Sequence, residues 1–233
     1  LRNGSVVLVT PTTPRDQAAE PGLPSRIGAV LFDMDNTLVD SEHAWFEATA
    51  DLWRHAGSQP EGVGVLGGTV ADVIREFLDA HPDADPEPVE QRFMEFLHHR
   101  LADGVVTMPG AEDLLTRLAA ILPVAIASNS PSAVVRDTVD RMGWTTLFTV
   151  AVGTEDVAEG KPAPDLYLAA ARACGAAPET CVVIEDSPMG AAAGRAAGAF
   201  VLTVGAVAAG HGHLNIDSLT DPRILAWTPE HQS

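Results

Sequence analysis

The stretch Ile27–Glu42, IGAVLFDMDNTLVDSE, joins a continuous apolar run to a cluster of acids. The run itself, Ile27–Phe32, shows no alternation of polar and apolar side chains, which is typical of a strand buried on both faces of a parallel sheet. Asp33 and Asp35 follow directly. Asn36 then suits a tight turn, because asparagine tolerates a positive φ better than most residues. The stretch therefore predicts a parallel sheet with a charged site at the end of its first strand.

Short apolar runs recur along the rest of the chain, at Pro123–Ala127, Phe148–Val152, Cys181–Ile184 and Phe200–Val204. Helical patterns lie between or beside these runs, over Ala111–Ile121, Ser132–Met142, Asp165–Cys174 and Met189–Ala197. An alternation of strands and helices is typical of α/β proteins, in which helices cover both faces of a parallel sheet. We therefore predict the α/β class.

A long helical segment interrupts this alternation between the first and second strands. A crossover connection needs only about a dozen residues, whereas this segment contains three successive helical patterns, at Ser41–His55, Thr69–Ala80 and Pro88–Ala102. We therefore expect an N-terminal extension, a core and an inserted helical subdomain, with bounds at residues 1–26, at residues 27–40 and 105–233, and at residues 41–104.

A glycine motif in this inserted segment, Gly62, Gly64 and Gly67, has the spacing G-x-G-x-x-G of dinucleotide-binding loops. Such a loop requires a strand immediately before it, whereas a predicted helix precedes the motif here. We interpret the segment as a loop rather than a cofactor site.

Composition excludes several classes of partner. The 233 residues carry a formal net charge of −18, which repels nucleic acid and anionic lipid. No run approaches the ~18 consecutive apolar residues of a membrane span, and the N-terminus has no signal-peptide pattern. Cys174 and Cys181 are too few for a disulfide scaffold and favour a reducing, cytoplasmic setting. We expect no nucleic-acid partner and no membrane partner, and we expect a monomer.

Polar side chains follow four of the predicted strands, where parallel α/β sheets bind their ligands. These side chains belong to Asp33 and Asp35 after the first strand, Ser128 and Asn129 (ASNSP) after the second, Lys161 (GKPAPD) after the third, and Glu185 and Asp186 (IEDSP) after the fourth. Any one of them is explained as a helix cap or a surface charge. The clustered acids, however, repel one another unless a cation or a shared proton relieves them.

A divalent cation would relieve this cluster. Carboxylate oxygens and water suit Mg²⁺, and no histidine or cysteine lies at these strand ends to favour zinc. Asp33 and Asp186 are the best candidate ligands, with the backbone carbonyl of Asp35 as a third and Glu185 bound directly or through water. Asp33 can then act as a nucleophile, while the Asp35 side chain exchanges a proton with a reacting oxygen.

The motifs FDMDNTLVDSE, ASNS, GKPAPD and IEDSPMG resemble those of the haloacid dehalogenase-like superfamily, in its phosphatase and phosphomutase branch, from Ile27 to about Gly205. The resemblance implies a Rossmann-like catalytic core, a helical cap and a small phosphate ester as substrate. It also implies a role for each motif residue: an aspartyl-phosphate on Asp33, acid–base catalysis by Asp35, phosphate binding by Ser128, Asn129 and Lys161, and Mg²⁺ binding by Glu185 and Asp186. One departure is Asn36, which stands where glycine is usual.

Lys161 is the only lysine of the chain, and every other basic residue that is not histidine is an arginine. A compact ammonium group can lie between a carboxylate nucleophile and a phosphate dianion, whereas the planar guanidinium group of arginine clamps one anion. We therefore expect Lys161 to relieve the repulsion between Asp33 and the phosphate.

Three alternatives share parts of this pattern. A signalling receiver module combines acids, a hydroxyl and a lysine, but it lacks a helical insert after the first strand. A haloacid dehalogenase needs no second acid at the place of Asp35. A phosphomutase is the closest alternative, but β-phosphoglucomutases carry a histidine where this chain has Trp45 (His43 lies two residues before) and an arginine in the first cap loop, where Gly62–Val73 has no basic residue. We therefore predict a Mg²⁺-dependent phosphomonoester hydrolase.

Overall fold

The computed structural model describes residues 22–59, 68–102 and 104–232. Within these residues the strands are β1 Arg26–Ile27, β2 Ala29–Phe32, β3 Val39–Asp40, β4 Val106–Thr107, β5 Val124–Ala127, β6 Val150–Val152, β7 Cys181–Glu185, β8 Phe200–Val204, β9 Leu214–Ile216 and β10 Glu230–His231. The α-helices are α1 Glu42–His55, α2 Val70–Ala80, α3 Pro86–Ala102, α4 Ala111–Ala119, α5 Ser132–Arg141, α6 Asp165–Ala173, α7 Pro188–Ala196 and α8 Pro222–Leu225. Short 3₁₀ helices lie at Thr154–Asp156 and Pro178–Thr180.

Six of these strands form one parallel sheet in the order β6-β5-β2-β7-β8-β9. Val30 and Phe32 of β2 join the core cluster that contains the apolar residues of α4 and α5. Ala29 and Leu31 point to the opposite face and join the cluster that contains those of α6 and α7. Because helices cover both faces, every residue of β2, β5 and β7 is buried. The predicted α/β architecture is confirmed.

Two features of this sheet differ from the expectation. The first apolar run is divided at Gly28, whose N–H donates to the carbonyl of Thr180 at 2.8 Å. A Cβ at Gly28 would lie 2.5 Å from the Thr180 hydroxyl, so glycine allows this close approach. The strand Leu214–Ile216, which the sequence did not predict, adds a sixth strand at the edge next to β8.

The helices α1, α2 and α3 lie between β3 and β4, and we call residues 42–102 the helical insert. β3 and β4 pair antiparallel, with Val39 opposite Thr107 and Asp40 opposite Val106, so the chain leaves and re-enters the core at one two-stranded ribbon. The predicted domain bounds stay predictions. The glycine motif at residues 62, 64 and 67 lies outside the described residues.

None of the helices in the described part of the chain combines the length and the apolar character that crossing a bilayer requires. Helix α2 of the insert is amphipathic. On α2 the buried residues Val70, Val73, Ile74 and Phe77 follow helical spacing. Thr69 begins α2 with a capping box, in which its hydroxyl accepts from Asp72 N and the Asp72 carboxylate accepts from Thr69 N.

Candidate active site

The first acidic motif forms a tight turn at the end of β2. Asp33 N donates to the carbonyl of Ile184 at 2.9 Å and so continues the ladder between β2 and β7. Asn36 has a φ of 58°, which confirms that the turn needs a residue that tolerates positive φ. The Asn36 side chain also accepts from the N–H of Glu42, the first residue of α1, at 2.9 Å. The turn therefore fixes both the acids and the start of the insert.

Lys161 reaches the end of β2 from the loop after β6. Its Nζ lies 2.6 Å from Asp33 Oδ1 and 2.7 Å from Glu185 Oε1, and its side chain is 2% exposed. Asn129 holds the lysine backbone, since its Oδ1 accepts from Lys161 N at 2.8 Å and its Nδ2 donates to Lys161 O at 3.2 Å. A Cβ at Gly160 would lie 2.7 Å from Asn129 Oδ1, so the glycine before the lysine leaves room for this pair. The lysine is thus fixed at its backbone and at its ammonium group.

Glu185 accepts hydrogen bonds on both carboxylate oxygens. Its Oε1 receives the ammonium of Lys161 and the hydroxyl of Tyr167, the latter at 2.9 Å. Its Oε2 receives the N–H and the hydroxyl of Ser187, each at 3.0 Å. Gly190 of α7 lies against this carboxylate, and a Cβ there would overlap it. Glu185 is therefore packed and paired as a counter-ion of Lys161.

Asp35 also accepts on both oxygens, from two parts of the chain. Ser41 Oγ and Trp45 Nε1, beside and within α1, donate to Oδ1 at 2.6 Å and 3.2 Å. Ser128 Oγ and Ser130 Oγ, after β5, donate to Oδ2 at 3.0 Å and 2.7 Å. The hydroxyl of Ser128, for which the sequence predicts a contact with phosphate, thus contacts the Asp35 carboxylate in this structure.

The acids at the end of the sheet shift one another's proton affinity. Burial raises the pKa of the Asp33 carboxyl well above its usual range; Lys161 opposes this shift, and the charges of Glu185, Asp186 and Asp35 add to it. Burial, followed by the charge of Glu185, raises the pKa of Asp186 to about 7. Burial would lower the pKa of Lys161, but the carboxylates of Asp33 and Glu185 raise it above its ordinary value. The lysine therefore stays protonated, but its single positive charge does not neutralise the carboxylates around it.

The donor set fits a hard divalent cation. Asp33 Oδ2 is buried and has no hydrogen-bond partner among the described residues. Carboxylate oxygens of Asp33, Glu185 and Asp186 lie within 4.8 Å of one another, a spacing that a shared ion can span. Oxygen-only donors of this kind suit Mg²⁺. An unpartnered buried oxygen beside two further acids is the observation that supports the fit.

A cavity of about 430 Å³ opens onto these groups between the core and the insert. Its core side is lined by Asp33, Asp35, Asn129, Lys161, Glu185 and Asp186. Its other walls include Asp40, Glu42, His43, Trp45, Phe46, Thr49, Thr69 and Val73. The structure thus brings the predicted site residues to one place, with Ser128 buried behind Asp35. Their individual roles stay predictions.

Sequence reasoning missed five residues that hold the predicted ones: Ser41, Trp45, Ser130, Tyr167 and Ser187. The three serines could have been found, because each lies within one of the motifs FDMDNTLVDSE, ASNSP and IEDSP. The two aromatic residues gave no signal of these contacts, since an aromatic residue at helical spacing is usually part of a core.

Comparison with known proteins agrees with this geometry. A family model described as haloacid dehalogenase-like hydrolase matches residues 27–198. Hexitol phosphatase A of Escherichia coli is 36% identical over 186 residues, which cover 78% of this chain and 85% of that protein. CbbY from Rhodobacter sphaeroides, solved in complex with phosphate, aligns with a TM-score of 0.71 and 26% identity over 84% of this chain and 96% of its own.

A β-phosphoglucomutase from Clostridium difficile aligns equally well, with a TM-score of 0.71 over 83% of this chain and 92% of its own. Its sequence identity is 19%, so this likeness shows the fold alone. Phosphate hydrolysis and phosphate transfer are therefore distinguished by the residues around the cavity and not by the fold.

Proposed function

The chain belongs to the haloacid dehalogenase-like hydrolase family and is a phosphatase of phosphorylated small metabolites, and from that premise we propose that it works through a phosphorylated Asp33 with the aid of Mg²⁺. One observation carries the proposal. Asp33 is paired with Lys161 through Oδ1, while its buried Oδ2 has no partner among the described residues. Such an oxygen is held in place and left available to a phosphorus atom or a cation.

The reaction has two steps in this proposal. In the first, an Asp33 oxygen attacks phosphorus, the ester P–O bond breaks, and Asp35 gives its proton to the leaving oxygen. In the second, Asp35 takes a proton from water, whose oxygen attacks the aspartyl-phosphate and releases inorganic phosphate and the Asp33 carboxylate. A positioned acid or base is worth about 10²–10⁴-fold in rate. Lys161 keeps its charge throughout, because Glu185 and either the Asp33 carboxylate or the phosphate group bound to it stabilise the ammonium.

Mg²⁺ would be held by Asp33, Asp186 and the backbone carbonyl of Asp35. When bound, it supplies positive charge against the phosphate oxygens. Both oxygens of Glu185 already accept hydrogen bonds, which favours contact with the ion through water over direct contact.

The phosphate would be bound by Lys161 and by the loop of Ser128 and Asn129 after β5. This assignment is supported by the position of the loop beside Asp35 and by the two hydrogen bonds that tie Asn129 to the Lys161 backbone. Asn129 therefore also positions the lysine, so that the two phosphate-binding elements form one unit.

The leaving group is best described as neutral and rich in hydroxyls. The cavity walls beyond the catalytic groups carry the carboxylates of Asp40 and Glu42, which repel a second anionic group. Among the described residues that line the cavity, Lys161 on the core side is the only lysine or arginine. Trp45 and Phe46 offer apolar surface to a sugar or polyol chain. The relationship to hexitol phosphatase A supports a polyol or sugar monophosphate as substrate.

Release of inorganic phosphate from a panel of sugar, polyol and nucleotide monophosphates, with and without Mg²⁺, tests the proposal. Asp33→Asn removes the nucleophile, so its rate should fall by more than the ~10²–10⁴-fold typical of a lost acid or base. Asp35→Asn is the matched control: it should lower kcat/KM, which reports the first step, strongly for alkyl phosphates and much less for an activated aryl phosphate. Near-normal turnover by a folded Asp33→Asn protein would refute the mechanism.

A further inference from the structure

One carboxylate links the core to the helical insert. Asp35 Oδ2 is held by two serines of the core, whereas Oδ1 is held by Ser41 and Trp45, at the start of the insert. The bond from Trp45 Nε1 is the longest of the four, at 3.2 Å, against 2.6 to 3.0 Å for the three hydroxyl donors. A long N–H···O bond is weaker than a short O–H···O bond. The bond from Trp45 is therefore the first of the four to break when Asp35 is protonated.

Packing fixes the direction of the indole N–H. The Trp45 ring packs on Phe93 of α3, with ring centroids 5.9 Å apart, and the Trp45 carbonyl accepts from Thr49 Oγ1 at 2.9 Å. The same ring forms part of the cavity wall. The indole is therefore held by the insert and reaches Asp35 from the cavity side of the site.

We propose that Trp45 is a positioning residue of the reaction, which orients Asp35 through its indole N–H and makes Oδ1 the oxygen that transfers the proton. This inference rests on the proposed function, in which Asp35 is the acid and base. Oδ2 accepts two hydroxyl bonds, whereas Oδ1 accepts one hydroxyl bond and the longer bond from the indole, so Oδ1 is the oxygen that exchanges the proton. The proton passes from Oδ1 to the leaving oxygen and returns to Oδ1 from the attacking water.

A variant of Ser41 distinguishes the positioning of Asp35 from direct contact with the substrate. It donates to the same oxygen as Trp45, is fully buried, and does not line the cavity among the described residues. A change in leaving-group preference caused by Ser41→Ala therefore comes through Asp35. Trp53, further along α1, supplies the matched control for the tryptophan, since it is buried against Phe77 and lies outside the cavity lining.

The experiment compares Trp45→Phe, Ser41→Ala and Trp53→Phe by kcat and KM for the best alkyl phosphate of the panel and for 4-nitrophenyl phosphate. A 4-nitrophenolate leaving group needs no proton. Trp45→Phe and Ser41→Ala should each lower kcat/KM for the alkyl phosphate by about tenfold, the typical worth of one hydrogen bond, with kcat/KM for 4-nitrophenyl phosphate nearly unchanged. The ratio kcat/KM is compared because it reports the first step and not the later hydrolysis of the aspartyl-phosphate, which both substrates share. Trp53→Phe should change both substrates by the same factor.

Equal losses on both substrates in Trp45→Phe and Ser41→Ala would overturn the inference and leave Trp45 as a wall of the cavity. Asp35→Asn distinguishes this failure from failure of the proposed function. If Asp35→Asn shows the leaving-group dependence and the other two do not, the positioning role alone is wrong. If Asp35→Asn shows no dependence, its assignment as acid is wrong and the inference falls with it. Ser41→Ala, which removes one hydroxyl, keeps the test decisive if Trp45→Phe does not fold.

Discussion

Lys161 lies in a place built for an ammonium group. Its Nζ lies between Asp33 and Glu185, and the ring of Tyr167 lies below it, with the centroid 4.9 Å away. The only lysine and the only tyrosine of the chain are thus in contact, and both contact Glu185. A guanidinium group is larger, and its planar fork favours two parallel bonds to one carboxylate.

Lys161→Arg should therefore lose nearly as much activity as Lys161→Ala, although it keeps the charge. The loss should reach about 10²-fold or more in kcat, as for other groups that stabilise developing charge. Initial rates with Mg²⁺ would measure it. Arg75→Lys is the control, since Arg75 is exposed and pairs with Asp72 away from the cavity; it should keep wild-type rates. Substantial activity in Lys161→Arg would show that charge alone suffices.

At this scale the sequence predicts the acids and the lysine but not the groups that hold them. Asp33 and Glu185 are marked by their position directly after apolar runs, and Asp186 follows Glu185. The bond from Ser130 to Asp35 joins residues 95 positions apart, and that from Tyr167 to Glu185 joins residues 18 apart on different elements. Side-chain direction decides such contacts, and spacing along the chain carries no information about it.

Helix α7 begins against the active site, and its glycines set how closely it approaches. A Cβ at Gly190 would overlap the carboxylate of Glu185, whereas a Cβ at Gly194 would lie nearest to the apolar side chains of Val201 and Val183, at 2.9 Å and 3.0 Å. The two glycines therefore serve different contacts of one helix. The first leaves space for a charged network, and the second allows the helix to pack on the sheet.

Gly190→Ala should displace Glu185 and so remove the counter-ion of Lys161. Both kcat and stability should fall, the latter by about 1–3 kcal/mol as for other overpacked sites. Gly194→Ala should lower the free energy of unfolding by a comparable amount but leave kcat near the wild-type value. Urea unfolding and phosphate release, measured on both variants, separate the two effects. Loss of activity in both, in proportion to stability, would contradict the assigned difference.

The elements with long apolar runs were predicted from sequence, and the shortest ones were not. β2, β5, β6 and β8 lie within the predicted runs, and β7 extends its run by one residue, Glu185, because the strands of a covered parallel sheet carry uninterrupted apolar residues. β9 has three residues, of which the middle one, the polar Asn215, is partly buried, and β3 and β4 have two residues each. Segments this short show no periodic pattern of apolar residues, and only their pairing with other strands in the folded chain identifies them as strands.

The charges on the cavity walls decide which reaction this fold performs. A phosphomutase must bind a bisphosphate intermediate and reorient it within the cavity. The cavity wall opposite the core must therefore carry basic side chains that bind the second phosphate. Here the wall holds Asp40 and Glu42, with His43 as its one imidazole among the described residues. An unpaired phosphate buried beside these groups would be costly. The distribution of charge across the cavity therefore favours hydrolysis.

With β-glucose 1-phosphate as substrate and a bisphosphate as primer, we expect release of inorganic phosphate and no isomerised sugar phosphate. Enzymatic assay of glucose 6-phosphate beside phosphate over one time course would measure both products. Asp33→Asn should form neither, which controls for contaminating activities. Accumulation of glucose 6-phosphate faster than phosphate would make the chain a mutase.

The helical insert is connected to the core at one place, the two-stranded ribbon of β3 and β4. Because Asp40 lies opposite Val106, the two ends of the insert are neighbours in one antiparallel ladder, and the core is continuous without what lies between them. A different segment could be grafted at this point without disturbing the strand order or the charged groups at the sheet's end. Substrate recognition can therefore diverge by exchange of a module while the chemistry is inherited unchanged. One condition limits the exchange: a new module must bring its own donor to Asp35, as the helical insert does with Trp45.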